Sequence, residues 1–181
     1  MRNIRILPII AILAFAVSFA YAQEPTPAVF TSVEGGFSIG LPEPKTITPY
    51  GQPDSSGKRY AWTTERGSFA VVSFDQAEEM NAKKYLEFAS KLMIDTARKR
   101  GGKLEYQKKI RLGGLSGVEI KLVYKRPDGS ETIYIERTYA SASRVYSVNH
   151  SVWTAPIDPE VIKILDSFKI IATAAPPKPV N

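Results

Sequence analysis

His150 is the only histidine in the chain, so any imidazole chemistry must run through it. A catalytic base needs a nucleophile or a second acid beside it. His150 alternates with Tyr146, Val148 and Val152. That pattern puts it on their face and predicts a packed, structural imidazole. One imidazole also falls short of a zinc ligand set. Gly113-Gly114-Leu115-Ser116-Gly117 has the residue types of a hydrolase elbow, but Gly117 follows Ser116 directly. The elbow needs glycine two positions after serine, so this segment reads as turn chemistry opening a strand. Gly35-Gly36 and Gly101-Gly102 lack the Lys-Ser or Lys-Thr that completes a phosphate loop.

Carboxylates are plentiful but scattered. Glu78-Glu79 precede a helix and favour its positive end. Glu119 is expected to point outward beside Lys121, and Glu131 and Glu136 differ in parity. A solvated sheet surface is the expectation for all three. Asp54 and Asp128 stand apart, short of the closely spaced oxygens a calcium loop requires. No catalytic residue, metal ligand or cofactor site is predicted.

Positive charge is what the chain concentrates. Residues Lys83 to Arg111 carry ten basic groups against Glu87, Asp95 and Glu105. Arg98, Lys99, Arg100, Lys103, Lys108, Lys109 and Arg111 form the best interaction candidate. They suit an anionic surface, such as lipid headgroups or an acidic protein, better than a reaction. Nucleic acid fits poorly, because no recognisable binding motif accompanies the charge.

Period-2 patterns dominate the elements that position these groups. Val29 to Val33 and Phe37 to Leu41 flank Glu34-Gly35-Gly36 as a hairpin, and Pro42 ends it. Glu43 to Gly57 is proline-rich and reads as a loop. Strands follow at Lys58 to Thr64 and Ser68 to Phe74; their Tyr60, Trp62, Phe69 and Phe74 read as core rather than a ligand cage. Asn81 caps a helix whose stripe is Tyr85, Leu86, Ala89, Leu92, Met93, Thr96 and Ala97. Gly101-Gly102 stop that helix, and Arg98, Lys99 and Arg100 complement its dipole. Further strands are Lys103 to Leu112, Ser116 to Lys125, Glu131 to Ala140 and Arg144 to Val152. A last helix starts at Asp158-Pro159, with Val161, Ile162, Leu165 and Phe168 facing inward. Strands with one central and one final helix predict an α+β fold, a curved antiparallel sheet flanked by helices.

The chain ends frame this unit. Arg2 and Arg5, an apolar run from Ile6 to Ala20, and Ala20-Tyr21-Ala22 predict a signal peptide over 1–22. The run is about 15 residues, short of the roughly 20 that span a bilayer. No later segment is long enough to span. Cleavage leaves 159 of the 181 residues and a net charge of +4 in place of +6. Residues 23–29 read as a spacer, 30–171 as a single α+β domain, and 172–181 as a disordered Pro-rich tail. With no cysteine, the domain must rely on packing rather than disulfides. The predicted address is periplasmic or secreted.

Five segments carry a family resemblance. Phe37-Ser38-Ile39-Gly40-Leu41-Pro42 resembles the opening F-x-I-x-x-P strand of the PsbP/DcrB-like α/β/α sandwich. The central helix ending at Gly101-Gly102 sits where that fold has one. Leu112-Gly113-Gly114-Leu115-Ser116-Gly117-Val118-Glu119 is similar to its recurrent strand entry. Arg137-Thr138-Tyr139 with Tyr146-Ser147-Val148, and Leu165-Asp166-Ser167-Phe168-Lys169, resemble its penultimate hairpin and closing helix end. The resemblance spans Phe30 to Ile171. It implies a curved antiparallel sheet flanked by helices and a mostly non-enzymatic role, as extrinsic subunits or accessory factors. It brings no catalytic set.

The expected function is thus a secreted, non-catalytic accessory or binding module docking to a protein or envelope component. An envelope hydrolase using carboxylates is the alternative, marked by a deep cleft holding two of Asp75, Glu78, Glu119, Glu136 and His150. A small-ligand carrier is the third, marked by an apolar pocket between sheet and helix.

Overall fold

The computed structural model describes residues 28–51, 56–76, 81–153 and 156–171. The expected leader, the tail, residues 23–27 of the spacer and Glu78-Glu79 lie outside them. The strands are β1 (Phe30–Ser32), β2 (Phe37–Ile39), β3 (Thr46–Pro49), β4 (Lys58–Thr64) and β5 (Gly67–Asp75). Helix α1 (Ala82–Lys99) follows, then β6 (Gly102–Leu112), β7 (Leu115–Lys125), β8 (Glu131–Ala140) and β9 (Arg144–Val152). Helix α2 (Pro159–Asp166) and β10 (Lys169–Ile170) close the chain.

Seven strands form the main sheet in the order β3-β4-β5-β9-β8-β7-β6, every neighbouring pair antiparallel. Between β5 and β6 the chain crosses from the middle of this sheet to its far edge, and α1 makes that crossing. The helix packs on β6, β7 and β8. Leu86 and Ala97 of α1 meet Val118, Ile120, Leu122, Ala140 and Val145 there. Asn81 Oδ1 accepts the Lys84 N–H at 3.2 Å, and Gly101 leaves the helix at φ 75°. The cap and stop are those the sequence predicts. Gly113-Gly114 joins β6 to β7 as a two-residue hairpin loop with φ of 56° and 82°, the double positive φ that only glycine takes cheaply.

The opposite face is covered by a second layer. It consists of α2 and a three-stranded sheet, β1-β2-β10, drawn from both ends of the described chain. Phe30, Phe37, Leu165 and Phe168 of that layer pack on Tyr60, Trp62, Phe69, Tyr139 and Tyr146. Phe37 lies 4.9 Å from Tyr60 and 5.6 Å from Phe168, ring centre to ring centre. Such aromatic pairs each add about 0.5–1.5 kcal/mol beyond area burial, which serves a core without disulfides.

Four expectations change. Thr46–Pro49, read as loop, is an exposed edge strand on β4. Leu92, assigned to the buried stripe of α1, is 56% exposed, and Ser90 takes its place in the core. Ile162, expected inward on α2, is 36% exposed. Glu119, expected outward, is 2% exposed, because its face of the sheet is the one α2 and the small sheet cover.

Candidate functional site

The seven predicted basic residues do not gather on one surface. Arg98, Lys99 and Arg100 end α1, and Arg98 pairs with Asp95 at 3.6 Å. The other four lie on β6, where the register slips between Leu104 and Tyr106. A bulge of this kind flips side-chain parity. Lys103 pairs with Val123 and Lys108 with Glu119, on the α2 side; Lys109 pairs with Val118 and Arg111 with Ser116, on the α1 side. Lys108 is further engaged by Glu119 at 2.7 Å. Lys99, Arg100, Lys109 and Arg111 are therefore left exposed at or beside α1, without ion pairs among the described residues.

The outer face of α1 adds groups that the sequence reading passed over. Phe88 and Leu92 are 64% and 56% exposed and stand one turn apart. Lys84, Lys91 and Lys99 are exposed at positions that share this side of the helix. None of the three makes an ion pair among the described residues, whereas Lys83 reaches Glu87 at 4.0 Å. Two apolar groups among lysines, diametrically opposite Leu86 and Ala97, were legible as a second stripe. The broad apolar pattern Tyr85 to Ala97 hid it by absorbing Leu92.

The carboxylates occupy separate environments. Glu119 accepts from Arg137 Nε at 2.6 Å, Tyr106 Oη at 2.7 Å and Lys108 Nζ at 2.7 Å. Arg137 also reaches Asp166 at 2.7 Å, tying α2 to the sheet. Burial alone would raise the Glu119 pKa, but these donors outweigh it and hold the carboxyl below its usual range. Asp75 is clasped by Arg144 at 2.5 and 2.9 Å. His150 is fully buried, its ring centre 4.3 Å from that of Phe69 and tilted 50° to it, with Nε2 2.8 Å from the Arg66 carbonyl. That carbonyl only accepts, so Nε2 carries the proton. Burial depresses the imidazole pKa, and the predicted structural role of His150 fits this setting.

A groove of about 390 Å³ opens on the α1 side, over the part of the sheet that α1 leaves uncovered. Glu136 lies in its lining, with Tyr134, Thr138 and Ser147 from the sheet and Tyr85 and Ala89 from α1. Of the hydrolase carboxylates and imidazole that fall among the described residues, Asp75, Glu119, Glu136 and His150, the groove is lined by Glu136 alone. Among the described residues no three His, Cys, Asp or Glu side chains converge on a metal position. No described helix is long and apolar enough to cross a membrane.

Such a helix-crossed antiparallel sheet with a second layer of α2 and short strands has solved counterparts. The cyanobacterial PsbP of Synechocystis sp. PCC 6803 superposes with a TM-score of 0.52 at 11% identity, over 82% of this chain and 95% of that one. LpqN of Mycobacterium tuberculosis, involved in cell envelope biogenesis, gives 0.45 at 16% identity over 75% and 84%. A protein of Bacteroides thetaiotaomicron gives 0.48 at 11% identity over 81% of this chain and 49% of its own, so this chain spans about half its length. No family model and no curated protein matches the sequence. The PsbP likeness establishes the fold: the chain has the PsbP/DcrB-like α+β architecture.

Proposed function

We propose that the chain is an exported, non-catalytic accessory module that docks on the anionic lipid surface of the cell envelope through the outer face of α1. One observation carries this reading: Phe88 and Leu92 project into solvent among Lys84, Lys91 and Lys99, none of them ion-paired among the described residues. Anionic headgroups attract each juxtaposed lysine by about 1 kcal/mol, falling off within a Debye length. Burying Phe88 and Leu92 in the headgroup boundary adds up to ~1.5–3 kcal/mol each. Arg100, Lys109 and Arg111 extend the same positive side. The sum describes reversible docking, not permanent insertion. The predicted export signal supports the location, and the PsbP-like fold supports an accessory rather than a catalytic role.

Co-sedimentation with phosphatidylglycerol-containing vesicles tests it. The native chain is expected to pellet with them at low salt, less at moderate salt, and not with pure phosphatidylcholine. Lys84→Glu/Lys91→Glu/Lys99→Glu should abolish the pelleting, and Phe88→Ser/Leu92→Ser should weaken it. Salt-insensitive pelleting, or no effect of either variant, would overturn the proposal.

A further inference from the structure

The groove beside α1 contains a charge that the fold does not balance. Three neutral hydroxyls serve the Glu136 carboxylate: Tyr134 Oη, Thr138 Oγ1 at 3.1 Å and Ser147 Oγ at 2.9 Å. No lysine or arginine ion-pairs with it among the described residues. The contrast with Glu119 and Asp75 is sharp, since both are clasped by arginine. A carboxylate accepts about four hydrogen bonds, so with three hydroxyls and no ion pair one direction remains for a cationic visitor.

The walls define that visitor further. Phe74, Tyr85 and Tyr134 line the groove. Burial, aided by Tyr50 and Glu136, pushes the Tyr85 phenol up to about 12, and burial with the Glu136 charge raises Tyr134 as well. Both therefore stay neutral rings, and the negative charge in the groove belongs to Glu136. Aromatic faces beside a carboxylate attract organic cations. A divalent metal fits poorly: one carboxylate offers two oxygens, where calcium takes six to eight. An isolated anion is repelled by Glu136. Arg59, an exposed residue of β4, is the cation among the lining residues and can meet an anionic tail, so a zwitterion is also admitted. At about 390 Å³ the space falls in the lower part of the ~300–1,000 Å³ range of small-molecule sites.

We infer that this groove is a binding site for a small organic ammonium compound, with the ammonium group against Glu136 and the rings of Tyr85, Tyr134 and Phe74 around it. The site lies in the sheet cleft rather than on the outer face of α1, so it stands or falls independently of membrane docking.

The probe is choline, titrated to millimolar concentration into the full chain by NMR, with its neutral isostere 3,3-dimethyl-1-butanol as control. Saturable choline shifts of the Tyr85, Tyr134 and Ala89 resonances are expected, with binding of the alcohol weaker by at least about tenfold. Glu136→Gln should weaken choline by a similar factor. Ala89→Trp, which fills the groove from the helix side and keeps the Glu136 side chain in the sequence, should block it while leaving the circular dichroism spectrum native. That second variant decides the matter should Glu136→Gln fail to fold. Equal binding of the alcohol, undiminished binding by a folded variant, or no saturable choline shift would overturn the inference.

Discussion

Burying Glu119 makes its carboxylate depend on Arg137, Tyr106 and Lys108, and the pH profile of stability should show it. Its folded pKa lies below its unfolded value, about 4.3 for a free glutamate. Between the two the unfolded chain binds more protons, so stability rises with pH across that interval. The contribution is complete above about pH 4.3 and is lost as pH falls through the folded value. Urea titrations from pH 2 to 7 should give a flatter acid limb for Glu119→Gln than for the native chain; parallel limbs would contradict this. Arg137→Ala should cost about 3 kcal/mol at neutral pH, because it strands most of a buried charge. His150 behaves as a base with the same sign. Its pKa is lowered by burial, so its stabilising share is complete above about 6.5 and is lost as pH falls through the folded value. As the sole histidine, its imidazole NMR signal is unambiguous. It should titrate below 6.5 in the folded chain, and a midpoint at or above that value would contradict the buried, neutral assignment.

Helix α1 shows how far an element is readable and where reading stops. Asn81, the apolar period and Gly101 fixed its ends, because caps and stops act through local backbone groups. Its rotation was less legible. Leu92 looks like core and Ser90 does not, yet Leu92 is exposed and Ser90 is 4% exposed, with an Oγ lacking a hydrogen-bond partner among the described residues. A buried, unsatisfied hydroxyl costs about 1–3 kcal/mol, and alanine is the better helix former. Ser90→Ala is thus expected to stabilise by about 1 kcal/mol in a urea melt; a destabilised variant would show that the hydroxyl has a partner. Strand β3 escaped notice because all four of its residues are exposed, Pro44 precedes it and Pro49 is its last residue; its ladder to β4 is a tertiary fact. The bulge in β6 was equally silent. Lysines at 103, 108 and 109 suit either parity, so nothing local revealed which of them share a face.

At the scale of the molecule, the alternating strands and two helices foretold the antiparallel sheet, while its second cover was hidden. The strands β1, β2 and β10 come from opposite ends of the described chain and meet only when folded. That cover is why Glu119 is buried, while the bulge in β6 is what turns both Lys103 and Lys108 to the covered side. The cover also leaves α1 with an open outer surface carrying both charge and the exposed Phe88 and Leu92. In the proposed docking, α1 is the contact face and the α2 layer the far side. The chain has no cysteine, so a single introduced thiol reports one position. An environment-sensitive fluorophore on Phe88→Cys, with one on exposed Val33→Cys in the far layer as reference, measures which side meets a bilayer. With phosphatidylglycerol vesicles the label at 88 should shift to the blue and brighten, lose that response in phosphatidylcholine or at high salt, and leave the label at 33 unchanged. An unshifted label at 88, or equal shifts at both positions, would contradict the assignment of α1 as the membrane-facing element.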